Sequence, residues 1–257
     1  MTLPKVVAVV PVYNHELAVP AVAAALRAHG LPVILVDDGS DEPGRRALAL
    51  LAQDGAVRLV HRPVNGGKGA AVIAGLRAAQ ELGFTHALQV DADGQHDLAD
   101  VPHFLDASRR EPNAIICGRP LFDSSIPLVR YCSRYITHVL VWLQTLSFSA
   151  VRDSMCGFRL YPVRPVLDVV DQDGVGTRMD FDIELLVKLV WRGHELCWID
   201  TRVSYPTNGV SHYRLLSDNL RVAGMHARLI LGMLWRAPIL LWRRTRRAVR
   251  TRTANAP

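Results

Sequence analysis

Four short apolar runs, Val6–Val10, Val33–Asp37, Val57–His61 and Ala87–Asp91, each give way to a stretch with helical spacing: Leu17–His29, Gly44–Gln53, Lys68–Leu82 and Val101–Arg110. A fifth run, Ala114–Gly118, closes the series. Parallel strands need long crossovers, usually helices, so this alternation predicts an α/β fold: a Rossmann-like, mostly parallel sheet flanked by helices. With 257 residues the chain can bury a full core of this kind. Three of the runs end in polar clusters, PVYNHE, DDGS and DADGQ. In an open parallel sheet such clusters gather at the carboxyl ends of the strands, where a nucleotide can lie across them.

The cluster after the fourth run carries the most chemistry. Asp91 and Asp93 are spaced i, i+2, which sends both carboxylates toward one side, and Gly94 and Gln95 follow. Mg²⁺ and Mn²⁺ prefer oxygen ligands and are often held by one or two carboxylates completed by substrate phosphates. A surface turn is the plain alternative, since Asp and Gly favour turns everywhere. In the other clusters, Tyr13 can pack on a base and Asp38 can accept hydrogen bonds from a base or ribose edge, with Gly39 and Ser40 starting the next helix. The run NGGKGAA (Asn65–Ala71) opens a helix with glycines and places Lys68, one of three lysines in the chain, where an anion at a helix N-terminus would suit. It lacks the GxxxxGK[ST] spacing of a Walker loop.

Charge and cysteine usage exclude several classes. Cys117, Cys132, Cys156 and Cys197 form no CxxC pair, which speaks against a zinc site or a disulfide framework and for a reduced, cytoplasmic setting. The start, MTLPKVVAVV, reads as a first strand rather than a secretory leader. Six arginines, from Arg243 to Arg252, fall in the last fifteen residues and account for the whole formal charge of +6. They follow the apolar segment Leu229–Trp242, an order that favours an anionic membrane surface over nucleic acid as partner. Arg236 and Pro238 interrupt that segment, which predicts an amphipathic helix lying in the interface rather than crossing it. A core helix with a soluble tail is the alternative.

The ordered set PVYN, VDDGS, NGGKG, DADGQH and DSMCGFRLY resembles family 2 glycosyltransferases of the GT-A fold, and among them the dolichyl- and polyprenyl-phosphate sugar synthases. A shorter similarity, through GVSHYRLLSDNLR, is to glycosyltransferases of bacterial aryl polyene pigment loci. The resemblance covers about Val6–Ser211 and implies a catalytic domain over residues 1–212, an interfacial helical segment over 213–242 and an Arg-rich tail over 243–257. It implies that Pro11, Tyr13, Val36 and Asp38 line the base and ribose, with Asp91 and Ala92 beside the ribose and diphosphate; Lys68 joins the nucleotide-sugar side through its place at the helix start. Asp93 and Gln95 match the metal-binding pair, for Mg²⁺ or Mn²⁺, and Arg119 a basic residue near the diphosphate or acceptor phosphate. Asp153 matches an aspartate facing the acceptor, and Arg159, His212 and Arg214 are acceptor or phosphate candidates. Two departures stand out: His15 takes a position that is acidic in many relatives, and His212 replaces a lysine.

The implied reaction is inverting transfer of a sugar from a nucleotide diphosphate to a lipid-linked, polyprenyl-phosphate-like or pigment-lipid acceptor, by a protein peripheral on the inner face of the cell membrane. Asp153 would act as general base toward a hydroxyl, or as a positioning group toward a phosphate that is already anionic. A soluble hydroxyl acceptor and a nucleotidyltransferase remain as alternatives. Ile136–Val151 is expected either as an interfacial helix delivering a head group or as a core helix. Phe181–Gly193 is expected as an amphipathic helix whose acidic first turn suits the helix dipole, with Asp182 a secondary acceptor-side candidate. His61, His86 and His96 read as structural, His96 with a place beside the metal loop.

Overall fold

The computed structural model describes residues 3–53, 55–122, 128–147, 150–204 and 215–254. Its first half follows the expected alternation: β1 (Val6–Val12), α1 (Val19–Ala28), β2 (Val33–Asp38), α2 (Glu42–Leu51), β3 (Val57–Arg62), α3 (Lys68–Glu81), β4 (His86–Gln89), α4 (Val101–Arg110) and β5 (Ile115–Phe122). α5 (Leu128–Thr145), β6 (Arg159–Pro162), α6 (Val163–Asp173), α7 (Phe181–Arg192), β7 (Leu196–Val203) and α8 (Leu215–Ala254) complete it.

The seven strands lie in the order β3-β2-β1-β4-β6-β5-β7. β1 pairs in parallel with β2 and β4, and β5 with β7. Alternating side chains divide the core into two layers. Val7, Val9, Ile34 and Val36 face α3, α6, α7 and α8. Ala8, Val10, Val12, Val33 and Leu35 face α1, α2 and α4. Both faces are therefore covered, which is why β1 and β2 read as continuous apolar runs. Gly75 sets the spacing of the first layer, because a Cβ there would collide with Val9 and lie 3.1 Å from Val36 Cγ2.

The sheet does not close at the fifth strand. β6 inserts between β4 and β5 and runs antiparallel to both, and β7 extends the edge. This reversal positions the site. The start of an antiparallel strand lies at the carboxyl ends of its neighbours, so the DSMCGF segment leading into β6 arrives beside DADGQ. α5 ends at Thr145 instead of running to Val151. Its inner face, with Val141 and Gln144, is buried, and Tyr135, Ile136, Val139 and Leu143 are exposed. α8 continues through Pro238 and through the arginines to Ala254 as one helix. Among the described residues no helix is long and apolar enough to cross a membrane.

Candidate active site

The carboxyl ends of β2, β1 and β4 are adjacent, as the polar clusters predict. Past β4 the chain turns at Gly94, whose φ of 72° suits glycine. Val90 and Ala92 go into the core layer beneath α4, so Asp91 and Asp93 take the other side. Asp91 meets Lys68 from the first turn of α3, with Nζ 2.7 Å from Oδ1 and 3.0 Å from Oδ2. The same ammonium lies 2.8 Å from Asp182 Oδ2 in the first turn of α7. Asp182 Oδ1 in turn accepts from Gln89 Nε2 at 2.9 Å, and Gln89 Oε1 from the Tyr161 hydroxyl at 3.2 Å. One cation thus ties α3, α7 and the end of β4 together.

Electrostatics separate the two aspartates. Burial works against the Asp91 carboxylate, but Lys68 and then His96, at 3.6 Å, outweigh it and hold the carboxyl well below the usual carboxylate range. Burial likewise works against charged Lys68, and Asp182 and Asp91 overcome it and raise its ammonium above the ordinary lysine value. Asp93 behaves oppositely: burial and the Asp91 charge push its carboxyl up. Its Oδ1 accepts from Gln95 N at 3.0 Å, and the Gln95 carbonyl accepts from Ser204 N at 3.1 Å, which pins the loop to the end of β7. A partly buried carboxylate short of positive charge suits a hard cation. Among the described residues no three His, Cys, Asp or Glu side chains gather as a cation cage. A metal held at Asp93 and Gln95 would therefore take its other ligands from phosphate and water, the usual habit of Mg²⁺.

Asp38 is more enclosed than expected. Its oxygens accept from Gly66 N at 3.0 Å and Gly67 N at 2.7 Å, and Arg62 pairs with it. The anion at the N-terminus of α3 is thus this carboxylate, and Ala70 N is taken by the Thr177 carbonyl. The Val36 side chain is fully buried under α3, which leaves its backbone as the part that could meet a nucleotide. Pro11 pairs in register with Val36, and Tyr13 follows the end of β1, both half-buried. Asp37 holds the neighbouring turn, accepting from Ser40 N at 2.8 Å and meeting His61 Nδ1 at 2.8 Å.

From the β6 side the DSMCG loop closes over the cluster. A Cβ on Gly157 would collide with Lys68 Nζ and come within 2.7 Å of Asp91 Oδ2, so any larger residue there would have to displace this pair. Asp153 is buried and held by Arg134 of α5, whose Nε and one terminal nitrogen each lie 2.7 Å from its oxygens. Met155 N and Cys156 N add bonds to Asp153 Oδ1 at 2.9 and 2.7 Å. Arg159, an acceptor-side candidate in the sequence, is fully buried and donates to the Asp182 and Ser154 carbonyls, both at 2.7 Å, and so braces the loop. Arg119 pairs instead with Asp200, its register partner on β7, outside the Lys68 cluster. His212 and Arg214 lie outside the described residues. Burial pushes the Cys117 and Cys156 thiols up to about 12, which rules them out as thiolate nucleophiles at neutral pH. Arg134 went unread in the sequence because nothing in the nineteen-residue separation marks it as the partner of Asp153.

Comparison with known proteins fits this arrangement. Residues 7–159 match the profile described as glycosyl transferase family 2. The chain is 28% identical over 193 residues to an undecaprenyl-phosphate mannosyltransferase of Micrococcus luteus, covering 68% of this chain and 75% of that protein. It is 26% identical over 223 residues to the polyprenol monophosphomannose synthase of Mycolicibacterium smegmatis, covering 84% and 82%. In fold it is similar to glucosyl-3-phosphoglycerate synthase from Mycobacterium tuberculosis, solved with Mn²⁺, UDP-glucose and phosphoglyceric acid, at a TM-score of 0.65 and 16% identity, covering 90% of this chain and 79% of that one.

Proposed function

The chain belongs to glycosyl transferase family 2 and is a glycosyltransferase; from that premise we propose that it moves a sugar from a nucleotide diphosphate to a lipid-linked phosphate at a membrane surface, with inversion. The observation that carries this reading is the contact of Gly157 with the Lys68–Asp91 pair. It sets the DSMCG loop, with Asp153, directly against the strand ends that would hold the donor.

In this reading Pro11 and Tyr13 line the base, and Lys68 keeps Asp91 ionised beside the nucleotide. Asp93, with Gln95, would hold Mg²⁺ or Mn²⁺, which when bound supplies Lewis-acid charge to the leaving diphosphate. The bond from the anomeric carbon to the diphosphate breaks, the bond to the acceptor oxygen forms on the opposite face, and nucleoside diphosphate leaves. Asp153 already accepts four hydrogen bonds, two of them from Arg134. A carboxylate whose oxygens are so engaged is placed to position an arginine rather than to meet an acceptor hydroxyl. That favours an acceptor needing no base, and a phosphate monoester, anionic near neutral pH, is one. The two curated relatives described above carry polyprenol or undecaprenyl phosphate in their names; a pigment lipid is not among those acceptors.

Membrane association follows the same lines. α8 turns Leu231, Leu234, Trp235, Leu241 and Trp242 to solvent on the side away from its buried Leu229, Met233 and Leu240. An outward apolar stripe with tryptophans, followed by arginines, suits a helix lying in the interface of an anionic bilayer, on the cytoplasmic side. The test is to incubate purified protein and a divalent cation with a panel of labelled nucleotide sugars and polyprenyl phosphate. Nucleoside diphosphate release with label in the organic extract is expected; pyrophosphate release would point to nucleotidyl transfer, and a soluble glycoside to a hydroxyl acceptor.

A further inference from the structure

We infer that the groove between α7 and α8 is a pocket for the phosphate of an anionic lipid headgroup, separate from the sugar-transfer site. The inference rests on the membrane reading above and gives that surface a specific contact. The groove encloses a cavity of about 460 Å³ at the turn after α6, lined by Glu184, Lys188, Trp191, Arg228 and Arg236. Such a volume suits a small headgroup. Gly232 opens it, because a Cβ there would stand 2.8 Å from the Trp191 ring, which forms one wall.

Its charges are unequally spent. Lys188 Nζ is saturated by the Asp173 and Gly174 carbonyls at 3.2 and 2.6 Å and by Glu184 Oε1 at 2.8 Å. Asp173 is neutralised by Arg192 at 2.7 Å, and Glu184 Oε2 accepts from Gly176 N at 2.8 Å. Arg228 reaches Glu184 only at 3.6 Å and its side chain is 60% exposed. Arg236 lies over the Trp191 ring at 4.7 Å and donates one N–H to the Gly232 carbonyl. Two guanidinium groups therefore keep spare donors around one cavity, and their planar forks match phosphate oxygens.

The geometry of α8 identifies the source of that phosphate. Arg228, Gly232 and Arg236, spaced i, i+4, i+8, run along the pocket. The adjacent row is Ala227, Leu231, Trp235 and Ile239, all exposed, with Trp235 at 88%. An anion entering beside such a row meets apolar surface fit for acyl chains, which a free phosphate does not need. Trp235 next to Arg236 places an interfacial anchor beside the headgroup contact.

The experiment is co-sedimentation of the full chain with vesicles of phosphatidylglycerol and phosphatidylcholine in equal parts, and with phosphatidylcholine alone. Wild type is expected to bind the mixed vesicles, and Arg228→Gln/Arg236→Gln to bind them roughly tenfold or more weakly. Arg45→Gln/Arg46→Gln, which removes the same charge from α2, is expected to bind like wild type, and circular dichroism confirms that both variants fold. Equal binding by the pocket variant and wild type would overturn the proposal, as would equal loss in the two double variants or full competition by millimolar inorganic phosphate at constant ionic strength. Wild-type sugar transfer is assayed separately: its failure with vesicle binding intact removes the enzymatic reading and leaves the pocket standing.

Discussion

Lys68 holds Asp91 through both carboxylate oxygens, at 2.7 and 3.0 Å, and so divides the labour of a two-aspartate motif. Asp91 has its counter-ion within the protein. Asp93, whose carboxyl is pushed up by burial and by its neighbour, forms no ion pair among the described residues. The pair that looks symmetric in sequence is asymmetric in charge, which is why the proposed cation site is placed at Asp93.

Removing Lys68 should therefore cost stability before it costs chemistry. Lys68→Met leaves Asp91 and Asp182 facing each other in a largely buried site, and breaking a buried pair from one side costs about 3–5 kcal/mol. Asp91 contributes stability that is fully present above the ordinary aspartate value and is lost as pH falls through its depressed one. In the variant that contribution is gone and acid relieves the repulsion. Urea unfolding as a function of pH should show the gap between wild type and variant shrinking on acidification.

Cation affinity should fall on acidification earlier than it would for an exposed aspartate. The raised carboxyl of Asp93 takes up a proton above the ordinary value of about 3.9, and that proton competes with the metal. Without metal, the same shift makes the native state bind the proton more readily than the unfolded chain, so this contribution to stability falls as pH rises through the raised value. Mn²⁺ titration by electron paramagnetic resonance at stepped pH checks the first point, and Asp93→Asn should abolish the response.

Gly157→Ala tests the close approach of the two halves. The added methyl meets Lys68 Nζ and Asp91, which are held by their own pairing and cannot both yield. Overpacking of this kind costs about 1–3 kcal/mol. Thermal unfolding should report that loss, and transfer activity should fall with it.

Arg134→Lys keeps the charge and loses the bidentate grip on Asp153. Charge-assisted bonds of this type are worth about 1.5–3 kcal/mol, so kcat/KM for the acceptor should fall roughly ten- to a hundredfold. The KM for the nucleotide sugar should stay near wild type, since the proposed function places Arg134 with Asp153 on the acceptor side.

Much of this architecture is legible in the sequence because it is written in local patterns. Apolar runs and helical spacing locate β1 to β5 and their crossovers, and the glycines and aspartates at strand ends mark the site. What escapes is nonlocal. The antiparallel insertion of β6 depends on pairing with β4 and β5, about seventy and forty residues earlier, and a four-residue strand leaves little periodicity to read. The Arg134–Asp153 clamp joins a helix to a loop with no intervening motif. Asp182 reads as part of an acidic first turn and as a secondary acceptor-side candidate, and only the fold brings Lys68 and Gln89 to it. Asp38 is chemically able to accept from a ribose, but the backbone of the glycine loop claims it first.

The most direct measurement is transfer of label from a nucleotide sugar to polyprenyl phosphate by purified wild type and Asp93→Ala in the presence of Mn²⁺ or Mg²⁺. Wild type should give organic-extractable label and stoichiometric nucleoside diphosphate, both abolished by a chelator. A loss of roughly a hundredfold or more is expected in Asp93→Ala, because several kcal/mol of charge stabilisation leaves with the cation site. Unchanged transfer by Asp93→Ala would contradict the assignment of the cation site.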